Sequence, residues 1–588
     1  MKGMRQALSV LLLAVTFVTA STIGGPVPAF AIEPPGVDMA ALPPASTPGP
    51  EQEMRQSAKC GTLQTVAEPD VKLPAPGFSM LNIEQAWKFS TGAGVTVGVI
   101  DTGVTPNPRL PRLYAGGDYV MGAGGTGGLE DCEGHGTIVA SIIGGQPFDP
   151  ARKPPTRPEN APPLPPPPPP PGQGAPVTPS PEPPKPVTVT VQTPTPAPPP
   201  PPAPPPPPED GGAAPAAVQR PAEANLPVRS ASGTGALPAP YRAPKLPVPA
   251  APPEPAAPPE PAPVGDAFVG VAPDVSIISA RQSSQAHSPV VGGTDPDGRL
   301  KKAGNVKTLA RSIRDMADLP GVRVINLSVQ SCMNVNDMIS DAGVGAALHY
   351  AVYDKDIVVV AAAGNTDDRG CGQNPVFDPL RSDDPRDWHQ VSTVVTPAWY
   401  AASNLVLTVG SVDARPESNG QPMANSIAGP WVSVAAPGAP IVGLANSPDG
   451  VAVNARPNLE KPGETIPLWG TSFAAPYVSG VAALVRARFP NLSAQQVMRR
   501  IVETAHNPAR AVDNQIGFGV VDPYQALTAS IDEGPRQSTP YLKEIIPRPS
   551  APVIEDHSQR TIGLIGAGLV VLAAAAGVSY AGLRKKNR

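Results

Sequence analysis

Apolar positions along this chain fall into two rhythms. One is a set of short, largely apolar runs rich in β-branched residues: Val95-Thr96-Val97-Gly98-Val99-Ile100, Val322 to Leu327, Ile357 to Val360, Leu405 to Val409 and Trp431 to Ala435, with a further strand expected near Val275. Runs of this kind predict strands buried on both faces. The other rhythm has helical spacing, over Val306 to Leu319, Asp337 to Tyr353, Phe473 to Arg488 and Ala494 to Thr504. Ser493 followed by Gln496 supplies a capping box for the last of these. Strands that alternate with helices need crossover connections. The expected fold class is therefore α/β, a mostly parallel sheet flanked by helices.

Composition divides the 588 residues further. Of 87 prolines, 45 fall between Ala151 and Pro263. Such a segment buries too little apolar surface to offset its ordering entropy. Runs such as Pro165 to Pro171 favour extended polyproline II. Residues 150–265 read as a disordered insertion within a folded domain of residues 80–530. A surface loop of that length is tolerable because closure entropy grows only logarithmically. Its reading as a spacer or partner ligand stands beside that of a solvated loop with no partner.

The two ends point to export. Lys2 and Arg5 precede the apolar run Ala7 to Ala20, and Ala29-Phe30-Ala31 fits a cleavage site, so residues 1–31 read as a signal peptide. Residues 32–79 form a Pro-rich extension with little regular structure. After a linker at residues 531–560, Ile562 to Leu583 is uncharged over 22 residues, enough to cross a hydrocarbon core of about 30 Å. Arg584, Lys585, Lys586 and Arg588 then form a basic tail, which places residues 584–588 in the cytoplasm and the domain on the extracytoplasmic side. Net charge is −5 with no basic stripe, which argues against a nucleic-acid partner. Four cysteines, Cys60, Cys132, Cys332 and Cys371, suit an oxidising compartment and two disulfides; three pairings are open from count alone.

Three short motifs carry the chemistry. Val99-Ile100-Asp101-Thr102-Gly103 sets an acid at a strand end. Gly134-His135-Gly136-Thr137 sets a histidine at the start of an apolar helix. Gly470-Thr471-Ser472-Phe473-Ala474-Ala475-Pro476 sets a serine at a loop-to-helix junction. Each has a bland reading alone: a turn acid, a structural histidine, a helix cap. Together they supply what acyl transfer needs, a nucleophile, a base and a group that orients the base. All three can converge at the carboxyl edge of a parallel sheet. The remaining histidines, His287, His349, His389, His506 and His557, show no metal-ligand spacing, so no metal or cofactor is expected.

In the order Asp, His, Ser, these motifs resemble the signatures of the subtilisin family over about Trp87 to Ser530, less the proline segment. The order differs from that of the α/β-hydrolases, and their Gly-x-Ser-x-Gly elbow is absent. The resemblance implies a serine endopeptidase with Asp101, His135 and Ser472 as the triad. It implies Asn365, in Ala363-Gly364-Asn365, as an oxyanion donor beside the backbone N–H of Ser472. It further implies that Ser328, Val329 and Gln330 face Ala362, Ala363 and Gly364 across the pocket for the residue preceding the scissile bond. With those walls so placed, Cys332 and Cys371, which follow them, are expected to pair, leaving Cys60 with Cys132. Many subtilisins bind calcium, but no acidic loop here suggests a site.

The whole layout is similar to the mycosins, the membrane-anchored subtilisin-like proteases of mycobacterial type VII secretion systems. The long proline insertion resembles that of the mycosin of the fifth such system. The resemblance implies an N-terminal extension that is kept and wraps the domain. It also implies protein substrates among exported chains, and association with the secretion membrane complex. A role chiefly as a structural component of that complex, with proteolysis secondary, is the competing expectation.

Overall fold

The computed structural model describes residues 32–155, 265–292, 301–368, 370–376, 388–458, 461, 463–508, 511–537, 572 and 575–577. All belong to one compact unit, residues 1–163 with 263–588. The expected signal peptide, most of the proline insertion, the end of the linker and the basic tail lie outside the described residues. So does most of the expected span at 562–583, of which residue 572 and residues 575–577 are helical. Among the described residues no helix is long and apolar enough to cross a membrane.

Seven strands form the central sheet: β1 (Thr96–Asp101), β2 (Leu113–Asp118), β3 (Ser276–Arg281), β4 (Val322–Leu327), β5 (Val358–Ala362), β6 (Leu407–Asp413) and β7 (Val434–Ala439). Their order is β7-β6-β5-β4-β1-β3-β2, and every pairing is parallel. The apolar runs explain this: β4 and β5 are almost wholly buried, as strands covered on both faces must be. From β1 the chain builds first to one side and then to the other. The carboxyl ends of β1 and β4 therefore flank the crevice where open α/β sheets place their sites.

Six helices complete the frame: α1 (His135–Gly144), α2 (Val306–Asp318), α3 (Ala342–His349), α4 (Thr471–Arg488), α5 (Ala494–Glu503) and α6 (Pro523–Thr528). α4 packs against β4, β5, β6, β7 and α1, while α2 packs against α3. The Ser493–Gln496 capping box starts α5, and a second box from Asn305 and Thr308 starts α2.

Three expected boundaries are corrected. Residues 337–341 are not helical: Asp341 accepts hydrogen bonds from Trp399 Nε1 (2.8 Å) and the Tyr400 hydroxyl (3.1 Å), and α3 starts only after it, running on through a π turn at Tyr350–Asp354. Leu405 and Val406 precede β6, and Trp431 and Val432 precede β7. All four are buried. Apolarity marked their burial and not their membership of the ladder.

The N-terminal segment runs over the domain mostly by side-chain and backbone contacts, with short regular pieces at Met39–Ala41, Met54–Gln56 and Pro76–Met80. The Pro35 carbonyl accepts from Ser403 Oγ (2.7 Å), and Ser46 Oγ donates to Asp315 (3.1 Å). Met54–Gln56 pairs antiparallel with His287–Pro289. Val66 N–H donates to Asn454 Oδ1 (2.7 Å). Cys60 is disulfide-bonded to Cys132 and Cys332 to Cys371.

Candidate active site

Asp101 ends β1 and has no exposed surface. Its Oδ1 accepts from the N–H of Thr102 (2.7 Å) and lies 2.6 Å from His135 Nδ1. Oδ2 is buried without a partner. His135 is the first residue of α1. The loops carrying the two side chains touch so closely that glycine is required at the contact. A Cβ on Gly136 would lie 2.0 Å from the Gly103 carbonyl oxygen. One on Gly103, at φ +101°, would lie 1.9 Å from that of Glu130. The Gly residues of the two motifs are thus as necessary as their acid and base.

Burial opposes a charged imidazole, but the charge of Asp101 and its hydrogen bond, then the charges of Asp131 and Asp368, hold the His135 pKa above the ordinary histidine value. The ring lies against Phe473, centroids 5.0 Å apart. Among the hydrogen bonds of the described residues, none joins His135 to Ser472.

Ser472 is the second residue of α4, nearly buried, after Gly470 at φ +141°. Its carbonyl accepts from Ser328 Oγ (2.7 Å), which accepts in turn from Asn326 Nδ2 (2.9 Å), whose Oδ1 accepts from Ser479 Oγ (2.8 Å). A buried polar chain thus fixes the first turn of α4 to the end of β4. Asn365 Oδ1 accepts from Thr471 N–H (2.9 Å) and Thr471 Oγ1 (3.0 Å), which turns its amide nitrogen outward; Nδ2 donates to Asp368 Oδ2 (3.3 Å). The amide donor and the serine therefore flank one short stretch, Gly470–Ser472.

Of the expected pocket walls, Ser328 is buried, while Val329, Gln330 and Ser331 are partly exposed. Gln330 donates to Asp368, linking one wall to the other. Ala362 and Ala363 have no accessible surface, so they back the wall instead of lining it; Gly364, at φ +111°, turns the chain into Asn365. The Cys332–Cys371 disulfide ties the segments that follow both walls.

Sequence reading missed the second layer. Asp131 accepts from Thr102 Oγ1 (2.8 Å), Gly134 N–H (2.8 Å), Glu133 N–H (3.2 Å), Thr137 N–H (2.8 Å) and Thr137 Oγ1 (2.7 Å). Burial pushes its pKa up to about 6, against those hydrogen bonds from Thr137 and Thr102. Glu133 Oε1 accepts from Ser284 Oγ (2.7 Å) and Ala286 N–H (2.8 Å). Arg281, fully buried on β3, spans Asp118 (2.5 Å) and Glu130 (2.9 Å). The loop before His135 is thus held from every side. Among the described residues no group of His, Cys, Asp or Glu side chains could hold a metal ion.

This geometry can be compared with known proteins. The profile of the Subtilase family matches residues 92–152 and 256–519. The chain is 50% identical to Mycosin-5 of Mycobacterium tuberculosis over 92% of its own length and 90% of that protein's. It is 49% identical to Mycosin-2 of the same species over 91% of each. Among solved structures, it is similar to a chain in the structure of the periplasmic assembly from the ESX-5 inner membrane complex. There identity is 40% and TM-score 0.60, with 86% of this chain and 97% of that one covered.

Proposed function

The chain belongs to the mycosins, within the subtilase family, and on that footing we propose that Asp101, His135 and Ser472 are the triad of a serine endopeptidase that cuts exported proteins. The observation that carries this is the 2.6 Å bond between His135 Nδ1 and a buried Asp101, with the His135 ring against Phe473, the residue after Ser472 in the first turn of α4.

The steps follow from that bond. Nδ1–H donates to Asp101, so the lone pair of Nε2 is free to take the Ser472 proton as Oγ attacks the substrate carbonyl. Attack needs Nε2 within hydrogen-bond reach of Oγ, a contact that is commonly loose in free enzymes and tightens when substrate binds. Negative charge on the former carbonyl oxygen then meets the outward Nδ2 of Asn365 and the backbone N–H of Ser472. The imidazolium, stabilised by Asp101, returns its proton to the leaving amine. Water repeats the cycle and frees Ser472. Ser328 to Ser331 and Gly364 would flank the residue before the scissile bond.

Residues 1–31 as a cleaved signal and 562–583 as a single span would hold the domain on the outer face of the cell membrane. The proline insertion and the likeness to Mycosin-5 favour the mycosin of the fifth secretion system.

Ser472→Ala tests the triad: fluorophosphonate labelling and peptide cleavage should vanish with the fold unchanged, and equal labelling of the variant would refute it. A second reading, structural support of a type VII secretion membrane complex, is favoured by the likeness to a chain of the ESX-5 assembly. Secretion in cells carrying Ser472→Ala, against cells lacking the chain, separates the two. Equal failure assigns the role to catalysis, and failure of the deletion alone assigns it to support.

A further inference from the structure

Asp131 holds two segments that must be fixed relative to each other. Through Oδ1 it accepts from Thr102, whose own N–H donates to Asp101. Thr102 Oγ1 also accepts from the N–H of Gly136, beside His135 (3.0 Å). Through both oxygens Asp131 binds backbone N–H groups of residues 133, 134 and 137, before and inside the first turn of α1. The Thr137 hydroxyl accepts from Thr105 N–H (3.0 Å), closing the link back to the Asp101 loop. Asp131 is 4% exposed, and among the described residues no cation forms an ion pair with it. Five donors satisfy its lone pairs, so it can stay ionised beside Asp101, and its charge acts on His135.

We propose that Asp131 is a positioning residue of the reaction, one that fixes Asp101 and His135 in one frame. This rests on the triad reading above. The imidazolium that forms when Ser472 gives up its proton bonds to Asp101, and the charges of Asp131 and Asp368 also favour it. Loss of one of those charges lowers the pKa of the ring. Because the base must be neutral, the acid limb of kcat/KM then moves to lower pH.

The test compares three variants of the full chain by pH–rate profile on one peptide. Asp131→Asn keeps an acceptor for Thr102, Glu133 and Gly134 but removes the charge. Thr137→Val keeps the charge but removes the hydroxyl's two hydrogen bonds. Asp131→Glu keeps the charge and displaces it. Expected are a fall in kcat/KM of about 10- to 100-fold for Asp131→Asn, with its acid limb at lower pH, and an unmoved limb for Thr137→Val and Asp131→Glu at reduced rate. Asp131 and His135 titrate as a coupled pair, so the Asn variant should also show one acid step where wild type shows a broader one. An unmoved limb in Asp131→Asn, or an equal shift in Thr137→Val, overturns the proposal and leaves Asp131 a loop brace only. Should Asp131→Asn not fold, a wild-type kcat/KM in Asp131→Glu refutes it equally. Wild type that neither cleaves peptide nor labels with fluorophosphonate would instead sink the triad reading itself.

Discussion

Removing the Cys60–Cys132 disulfide, as the Cys60→Ser/Cys132→Ser double variant, should cost stability without costing catalysis. The bridge closes a loop of 72 residues, which does not include the proline insertion. In the chain-entropy description, freeing such a loop in the unfolded state removes about 4 kcal/mol of stability at 25 °C. That is a large share of the roughly 5–15 kcal/mol by which domains are stable. The folded loop before His135 keeps its other supports: the five donors to Asp131, the bonds of Glu133 to Ser284 and Ala286, and that of Arg281 to Glu130. So kcat/KM of folded molecules should stay within about threefold of wild type, an effect below 1 kcal/mol. Denaturant unfolding followed by tryptophan fluorescence measures the first quantity, and peptide hydrolysis at 25 °C the second. A stability loss under about 1 kcal/mol, or a collapse of kcat/KM in a variant that is fully folded, would refute the reasoning. Either result would mean that the bridge acts on native geometry instead of on the unfolded chain. The Cys332–Cys371 bridge closes 39 residues. Because loop entropy varies logarithmically, its loss should cost nearly as much.

Two further outcomes are expected. Asn365→Ala should lower kcat about 10²- to 10³-fold, the loss seen when a subtilisin is deprived of its side-chain oxyanion donor, with KM much less affected; steady-state kinetics check it. Asp118→Ala leaves Arg281, which has 1% side-chain exposure, with Glu130 as its one remaining ion-pair partner among the described residues, and should destabilise the domain by about 3 kcal/mol in denaturant unfolding, with Arg281→Met/Asp118→Leu recovering part of the loss.

The parts of the site that sequence made legible are those whose placement is local. An acid at the end of a β-branched run, a histidine between glycines and a serine before Phe473 each state their own position on a strand end or helix start. β4 matches the predicted run Val322 to Leu327 residue for residue, because the residue at each end is apolar and buried. What stayed hidden depends on partners far along the chain. Asp131 reads as one acid in a loop; its role rests on Thr102 and Thr137, which sheet and helix bring to it. Asn326 reads as a polar interruption of β4 until Ser479 and Ser328 meet it from α4 and the wall. The overlong helix at 337–353 failed for a like reason: Asp341 is claimed by Trp399 and Tyr400, and no local pattern announces them. Ala362 and Ala363 were placed by likeness to a family, which fixes the wall's course but not which atoms reach the cleft.

The strap formed by the first described residues imposes an order of assembly. Pro35 waits for Ser403, Ser46 for Asp315 and Val66 for Asn454, partners 368, 269 and 388 positions downstream. Synthesis delivers the strap early, yet apart from the Cys60–Cys132 bridge these stitches wait for partners in the later part of the domain. Part of this early stretch is therefore among the last to settle, and a chain halted short of Asn454 would leave the Val66 N–H without its acceptor.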